Sequence, residues 1–431
     1  MVRTRVLSLA VIALAVAPRV WAQDLPATLT LPDALQLARS RNPALAAAVN
    51  EVEMAEADRL QATRRLNPAV TSGSEGYPLF SGPRPSFIDG QELTVRVDQE
   101  FETAGRRRLR SETTAASIEV ARSLLADQRR RLELAVQRAY LQIVLAKADR
   151  EVARAALEDI DRMLGITKAR LDQGEIAGGE WRRLQVERLR FVDDQFSTEL
   201  AFKNAKAALL ALLGFADFSR AFDVSGALTE VPASLASVSS LISGATLDRV
   251  ALERQALAAR PDLIASRGEE QRADSETQLQ RALRTPNITV GGGYKRTLTS
   301  NGVVFGVTVP VPLFNRNPGG IARAEAERRR AANLSAAAEA TVRLDVQQAI
   351  NAIEVNQARV RYIEQDTLTA AREARDAVMA AYQVGEAGLI DYLDAQRAFR
   401  ETLRIYNRAL YDRRLSDFEV AAAVGRPSVQ P

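Results

Sequence analysis

The chain has 431 residues, with 58 basic and 54 acidic side chains, and contains neither cysteine nor histidine. This composition excludes thiol and imidazole nucleophile–base chemistry and argues against tight binding of zinc or copper. The sequence also has no nucleophile elbow or phosphate-binding loop. We therefore expect a protein that is not an enzyme and that has no catalytic, metal or cofactor site.

Residues 1–22 have the pattern of a secretory signal peptide, because two arginines precede an apolar run that ends at Val20-Trp21-Ala22. The apolar run is too short to anchor the chain in a bilayer. Cleavage lowers the formal charge from +4 to +1 by removing Arg3, Arg5 and Arg19. A near-neutral mature protein gives no reason to expect a nucleic-acid partner.

The remaining chain consists of two similar halves, which indicates an internal duplication. Matching features follow one another in the same order in both halves, at an offset that drifts by only a few residues: Asn42-Pro43 with Arg260-Pro261, Pro68 with Pro286, Gly105 with Gly319, and Gly214 with Gly425. The pattern predicts a first repeat over 23–214, a linker over 215–246, a second repeat over 247–425 and a tail over 426–431.

Each half is predicted to run helix, strand, loop, strand and two long helices. The opening helices cover about 31–66 and 246–284. The predicted strands are 68–76 and 92–102 in the first half and 287–294 and 303–314 in the second. Alternate residues of each strand are apolar, and the others are small or polar. The loops between paired strands, 75–91 and 295–301, are expected outside the cell.

The strands match the wall of an outer-membrane barrel, which uses strands of about 9–11 residues with one apolar face. A soluble sheet with one buried face gives the same pattern in any single strand. The exported chain and the very long helices on either side favour the barrel. Four strands cannot close a barrel, so several chains must contribute, and strand number alone allows two, three or four copies.

Two helical hairpins follow the strands, over 106–213 and 321–424. A helix of some 65 residues extends on the order of 100 Å, several times the thickness of a bilayer core, so these helices must stand in water. The predicted fold class is mainly α with a membrane β-barrel segment. Either hairpin alone is also typical of a soluble coiled-coil rod.

The hairpin tips are marked by glycines, which interrupt helices at a cost of roughly 1 kcal/mol each. The tip residues are Gly174, Glu175, Gly178 and Gly179 in the first hairpin and Gly385, Gly388 and Leu389 in the second. Asp391 and Asp394 follow the second tip at helical spacing, and Tyr382 precedes it.

This organisation resembles the TolC-type outer-membrane efflux factors, and in particular their heavy-metal (cobalt–zinc–cadmium) branch. The resemblance covers nearly the whole mature chain. It is carried by Val384-Gly385, Leu389, Asp391 and Leu393-Asp394-Ala395-Gln396 at the second tip, and by the run from Val309 to Gly319 after the last strand.

The resemblance implies a homotrimer in outer-membrane lipid, in which a twelve-stranded barrel is continued by a periplasmic α-helical barrel. A periplasmic adaptor (membrane fusion) protein would meet the tips, and an inner-membrane RND pump would drive heavy-metal cations through a passive conduit. The tip residues would dock the adaptor, and Asp391 with Asp394 would form an acidic ring at the entrance.

Two other roles follow from the same resemblance. Tyr382 would help to hold the entrance closed, although Ala387 stands where a basic partner is expected. The segment Arg316-Asn317-Pro318-Gly319 would be a swivel between strand and helix. Simple turns and solvated helix faces account for the same residues without any of these roles.

Two further functions stay open on the sequence. An exported coiled-coil scaffold or adaptor would carry one hairpin flanked by soluble β-domains, whereas this chain has two hairpins with paired strands. A type I protein-secretion conduit has the same architecture and differs only in its partners. The identity of the cargo is not determined, because a conduit need not recognise what passes through it.

Overall fold

The computed structural model describes residues 25–76, 92–229, 248–297 and 299–426. The predicted signal peptide, most of the first external loop, the later part of the linker and nearly all of the tail lie outside these residues.

The first half contains the predicted pair of strands followed by the predicted pair of long helices, together with two short strands and a second opening helix that were not predicted. A strand β1 (Thr28–Leu29) precedes helices α1 (Leu31–Arg41) and α2 (Pro43–Ala62), and these are followed by strands β2 (Ala69–Glu75) and β3 (Glu92–Phe101). The first hairpin consists of α3 (Arg106–Asp172) and α4 (Gly178–Leu212), and a short strand β4 (Asp223–Val224) comes after it.

The second half repeats this arrangement. Helices α5 (Arg249–Ala259) and α6 (Pro261–Ala282) lead into strands β5 (Ile288–Arg296) and β6 (Asn301–Thr308). The second hairpin contains α7 (Pro318–Tyr362), a π-helical turn (Ile363–Thr367), α8 (Leu368–Val384) and α9 (Leu389–Ala423). Within the described ranges, no helix combines the length and the apolar character needed to cross a membrane.

The opening segment of each half is two helices, so the single helices predicted over 31–66 and 246–284 are wrong. The breaks fall at Asn42 and Arg260, which both have ψ of 120°. A residue before proline avoids helical ψ, whereas Pro43 and Pro261 can start the next helix because the missing N–H would be unpaired there. Asn42 also caps α2 by accepting hydrogen bonds from the N–H groups of Ala44 and Leu45.

Two boundaries in the second half also differ from the predictions. The strand predicted over 303–314 begins at Asn301 and ends at Thr308, because Pro310 and Pro312 have no N–H for a sheet ladder. The long helix predicted from 321 to 384 is interrupted by the π-helical turn Ile363–Thr367. An inserted π turn leaves no mark in the spacing of apolar residues that predicts helices.

The four longer strands form one antiparallel sheet in the order β2-β3-β5-β6. Its central pair, β3 with β5, joins the two halves, with Val97 opposite Gly292. The outer strands β2 and β6 each have one edge that pairs with no described strand. One face of the sheet is apolar and exposed, and includes Val70, Leu93, Val95, Val97, Ile288, Val290, Val303, Phe305 and Val307.

The helices are held together by apolar clusters at three levels of the described structure. The largest joins α1, α3, α4 and α9 around the short β1–β4 pair. A second joins α5 and α7 to the end of α9. The third lies at the hairpin tips and contains side chains from both hairpins, including Ile160, Met163, Leu184, Tyr382 and Tyr392.

A glycine follows the last long helix of each half. Gly214 and Gly425 follow α4 and α9 with φ of 79° and 73°, in the left-handed region that favours glycine. A side chain at Gly214 would meet the backbone of Arg41 at 2.6 Å, and one at Gly425 would meet Ala259 at 2.9 Å. Each glycine therefore lets the end of a hairpin approach the break between the two opening helices.

Candidate functional site

The two hairpin tips turn in the same way. Gly174 and Gly385 have φ of 77° and 84°, so each ends its helix in a left-handed conformation. The following residue closes the turn: Glu175 donates its N–H to the carbonyl of Arg170 at 2.9 Å, and Glu386 donates to that of Ala381 at 2.8 Å. These two glycines are required by the backbone of the turn.

The remaining tip residues differ in exposure. Gly178, Gly179 and Gly388 do not have left-handed φ. A side chain at Gly178 or Gly179 would meet nothing within 4 Å, so these glycines leave an open surface. Leu389 is only 6% exposed and belongs to the core of the tip. The large apolar side chains that the second tip does expose are Val384, which is among the residues that carry the resemblance, and Ile390, which the sequence did not single out.

Tyr382 links the two hairpins. Its side chain is 1% exposed, and its ring stacks on that of Tyr392 at 5.4 Å between centroids. Its hydroxyl lies 3.2 Å from Thr167 Oγ1 and donates to Glu180 Oε1 at 3.2 Å. Burial raises the pKa of the Tyr382 hydroxyl and raises that of Tyr392 to about 12. Both side chains are therefore neutral at physiological pH.

A basic partner for Tyr382 comes from the first hairpin. Arg170 Nη1 donates to the Tyr382 carbonyl at 3.2 Å, and its guanidinium carbon lies 5.9 Å from the centre of the tyrosine ring. The sequence places Ala387 where such a partner is expected, and it gives no sign that Arg170 takes that place. Only the packing of the two hairpins brings a residue 212 positions away into this contact.

The two carboxylates that the resemblance predicts at the entrance, Asp391 and Asp394, have different surroundings. Asp391 Oδ2 accepts a hydrogen bond from the Gly388 N–H at 3.1 Å and so helps to cap α9. Asp394 is exposed and forms an ion pair with Arg397 at 3.0 Å, one turn further along the helix. Its charge is therefore partly offset within its own helix.

The junction between β6 and α7 contains a strained residue. Asn317 has φ of 57° directly before Pro318, the first residue of α7, and its amide donates to the carbonyl of Gln280 at 3.0 Å. In the first half the left-handed residue directly before the long helix is Gly105, with φ of 68°. Gly105 therefore corresponds in conformation to Asn317, and its alignment with Gly319 is wrong by two residues.

In the part of the chain that the structure describes, no group of acidic side chains could hold a metal ion. The clefts there are open ones along helix and strand junctions. The arrangement of two long hairpins on a small exposed sheet is that of an outer-membrane channel with a long helical section.

The comparisons with known proteins identify the same class. The chain matches the outer membrane efflux protein family over residues 34–215 and 252–426, one segment in each half, and it belongs to that family. It is therefore a passive conduit located in the outer membrane rather than an enzyme. The resemblance inferred from the tip residues is confirmed.

Heavy-metal resistance proteins are among the relatives of this chain. It is 25% identical over 380 residues to the cobalt-zinc-cadmium resistance protein CzcC of Cupriavidus metallidurans, which covers 88% of this chain and 85% of CzcC. It is 28% identical over 297 residues to the nickel and cobalt resistance protein CnrC of the same organism, over 67% of this chain and 65% of CnrC.

Solved structures share the fold. CusC superposes with a TM-score of 0.76 at 17% identity, covering 92% of both chains. The outer membrane protein VceC of Vibrio cholerae superposes with a TM-score of 0.74 at 19% identity, covering 92% of this chain and 96% of VceC. The largely helical architecture is therefore that of known outer-membrane channels.

Proposed function

We propose that this protein is the outer-membrane channel of a tripartite efflux system, in which three copies form a twelve-stranded barrel continued by a periplasmic helical barrel. The observation that carries this proposal is the four-stranded sheet. Its apolar face is turned outward, with Phe305 85% exposed and Val303 73% exposed. A contiguous apolar surface of this kind calls for lipid or another apolar partner.

The edges of the sheet support assembly from several chains. Strands β2 and β6 each have one row of backbone N–H and C=O groups without a described partner. Backbone groups without hydrogen-bond partners are not tolerated in lipid. Pairing of β6 with β2 of the next copy closes the sheet, and three copies of four strands give a small barrel. The same arrangement would place Arg96 and Asp98, on the polar face of β3, toward the lumen.

An exposed stripe on the first hairpin also supports the trimer. Val186, Leu189, Phe196 and Leu200 lie on α4 at spacings of three, seven and four residues, and all are exposed in the single chain. Such spacing places them along one helix face. In a closed helical barrel this face would pack against a helix of the neighbouring copy.

The partners follow from the family and from the shape of the tips. The tips would meet a periplasmic adaptor, which connects the channel to an inner-membrane RND pump. Val384 and Ile390, with the open surface at Gly178 and Gly179, would form the docking surface there. The names of CzcC and CnrC point to divalent heavy-metal cations as cargo, which would pass through without a binding site of their own.

Fractionation of expressing cells tests this function. We expect heat-modifiable trimers in outer-membrane vesicles, because a closed barrel resists detergent until it is heated. A soluble periplasmic monomer would refute the channel. Deletion of the gene should also lower resistance to cobalt, zinc or nickel salts, and unchanged resistance to all of them would refute the metal cargo alone.

The entrance acids are proposed to favour cations. Replacing both Asp391 and Asp394 by asparagine would remove six charges from a trimer while an amide oxygen still caps α9. If the carboxylates stabilise a cation near this ring by roughly 1 kcal/mol, their removal should lower the cation-to-anion permeability ratio about fivefold. Reversal potentials across planar bilayers measure this ratio. Unchanged selectivity would eliminate the ring, and the exposed Asp376, on α8, provides a control substitution.

Tyr382 is proposed to hold the two hairpin tips together in the closed entrance. The Tyr382→Phe variant loses the hydrogen bonds to Thr167 and Glu180, worth about 0.5–3 kcal/mol in total. We expect a higher resting conductance in planar bilayers. Tyr406→Phe is the matched control, because that hydroxyl also donates to a glutamate, Glu364, but lies far from the tip. Equal conductance of the two variants would contradict the latch.

A further inference from the structure

Arginines occur at each of the four places where the chain passes between the helices and the sheet. In every case an apolar side chain lies toward the sheet: Leu66 before β2, Phe101 at the end of β3, Ile288 at the start of β5, and Phe314 after β6. The arginine collar is the set of exposed arginines on the helix side of these passages: Arg64, Arg65, Arg107, Arg284 and Arg316.

The collar is largely without internal partners. The side chains of Arg64, Arg65, Arg107 and Arg284 form no hydrogen bond or ion pair with any described residue. Arg316 donates only to the carbonyl of Pro312, at 3.2 Å. Neighbouring arginines that are not in the collar do have acidic partners: Arg108 pairs with Glu112, and Arg110 with Glu102. The collar therefore presents uncompensated positive charge directly beside apolar surface.

The collar arginine that lies on a helix, Arg107, does not stabilise that helix. The first turn of α3 contains Arg106, Arg107 and Arg108 and no acidic residue. Positive side chains oppose the dipole at a helix N-terminus by about 0.3–1 kcal/mol each. Glu112 compensates Arg108, and Arg106 donates to the carbonyls of Leu283 and Thr285. Arg107 is therefore the arginine of this turn whose charge calls for an external anion.

A cleft lies beside the collar. It has a volume of about 1150 Å³ between the segment after α2, the end of β3 and the start of α3. Arg65, Arg107 and Arg108 line one part of it, and Leu66 and Phe101 line another. Three glutamates line it as well: Glu112 pairs with Arg108, Glu102 pairs with Arg110, and Glu100 accepts a hydrogen bond from Asn287. Arg65 and Arg107 have no such partner among the described residues and lie in the same lining as Leu66 and Phe101, an amphipathic arrangement that suits a lipid headgroup joined to its acyl chains.

We propose that the arginine collar binds the phosphate headgroups of anionic phospholipids in the periplasmic leaflet of the outer membrane. This inference rests on the proposed function, because only a membrane-inserted sheet brings that leaflet to the collar. Guanidinium groups pair with phosphate through two parallel hydrogen bonds, and basic residues beside a membrane surface add attraction to anionic lipid. The collar sets the depth at which the barrel sits.

The test compares two pairs of adjacent, exposed arginines in the full-length trimer. One variant is Arg64→Gln/Arg65→Gln. The matched control is Arg182→Gln/Arg183→Gln, near the first tip, where both arginines are also exposed and unpaired among the described residues. Trimers are extracted from vesicles of mixed phosphatidylglycerol and phosphatidylcholine, and retained lipid is counted by native mass spectrometry. We expect the collar variant to retain about tenfold less phosphatidylglycerol than the control.

Each outcome has one interpretation. Equal retention by the two variants, in trimers that still insert and conduct, overturns the collar and leaves the channel function intact. Equal loss of phosphatidylglycerol and phosphatidylcholine in the collar variant overturns the anionic headgroup as the ligand. Failure of the unmodified protein to enter the membrane overturns the proposed function itself.

Discussion

Replacing Gly293 by alanine is expected to reduce the yield of membrane-inserted trimer by at least about tenfold. Gly293 lies on β5 at the joint between the two halves, opposite Arg96 on β3. A side chain there would come within 2.1 Å of the Val95 carbonyl oxygen and 2.7 Å of Arg96 Cα. These are backbone atoms of the central strand pair, so they cannot move aside without breaking the ladder.

The control for this substitution lies in the same sheet. At Gly302 on β6, an added side chain would meet nothing within 4 Å, so Gly302→Ala should assemble normally. The measurement is the amount of heat-modifiable trimer in outer-membrane vesicles at equal expression. Comparable trimer yields from the two variants would show that the approach of β3 to β5 does not limit assembly.

Replacing Arg260, at the break between α5 and α6, by methionine is expected to produce a large loss of stability in the helical part of the protein. Arg260 is 2% exposed, and its guanidinium donates to both carboxylate oxygens of Asp262, at 2.9 and 2.6 Å, and to Asp345 at 2.7 Å. Removing one partner of a buried ion pair lowers the free energy of unfolding by about 3–5 kcal/mol. We expect a value near the lower end of this range, because Asp345 is partly exposed. We expect thermal loss of helical circular dichroism at a midpoint about 5 °C lower.

Two further variants separate charge from packing at this site. Arg267→Met removes an exposed arginine from α6, the helix that begins directly after Arg260, and should change the midpoint little. Arg260→Met/Asp262→Asn removes the stranded carboxylate and should recover part of the loss. An unchanged midpoint in Arg260→Met would show that the pair contributes nothing net to stability.

The ion pair between Arg260 and Asp262 should also make the stability of the protein depend on pH. Burial raises the pKa of Asp262, but the hydrogen bonds and charge of Arg260 outweigh burial and hold that pKa below its usual value. Because the pKa of Asp262 is lower in the folded state, ionised Asp262 stabilises the fold at any pH above its pKa in the unfolded state, near 3.9. This contribution is lost as the pH falls through the pKa of Asp262 in the folded state. Thermal midpoints measured from neutral pH downward should therefore fall less steeply in Arg260→Met.

The sequence by itself determined the repeating plan of this protein. Apolar residues recur with the helical period along the hairpins and with period two along the strands, and these periods depend only on local backbone geometry. Turn residues are local too, so the glycines at 174 and 385 could be recognised as tips. The family resemblance, which the comparisons confirm, and the predictions of export and of several copies rest on the same local features.

Only the tertiary structure decided which distant residues meet. Arg170 reaches Tyr382 because two hairpins pack in one particular register, and helical periodicity does not encode the register between helices. The burial of Leu389, the exposure of Val384 and the close approach at Gly293 have the same origin. The left-handed Asn317 before α7 is held by Gln280 of another helix. Local sequence sets the elements of this fold, and long-range packing sets the contacts on which its proposed function depends.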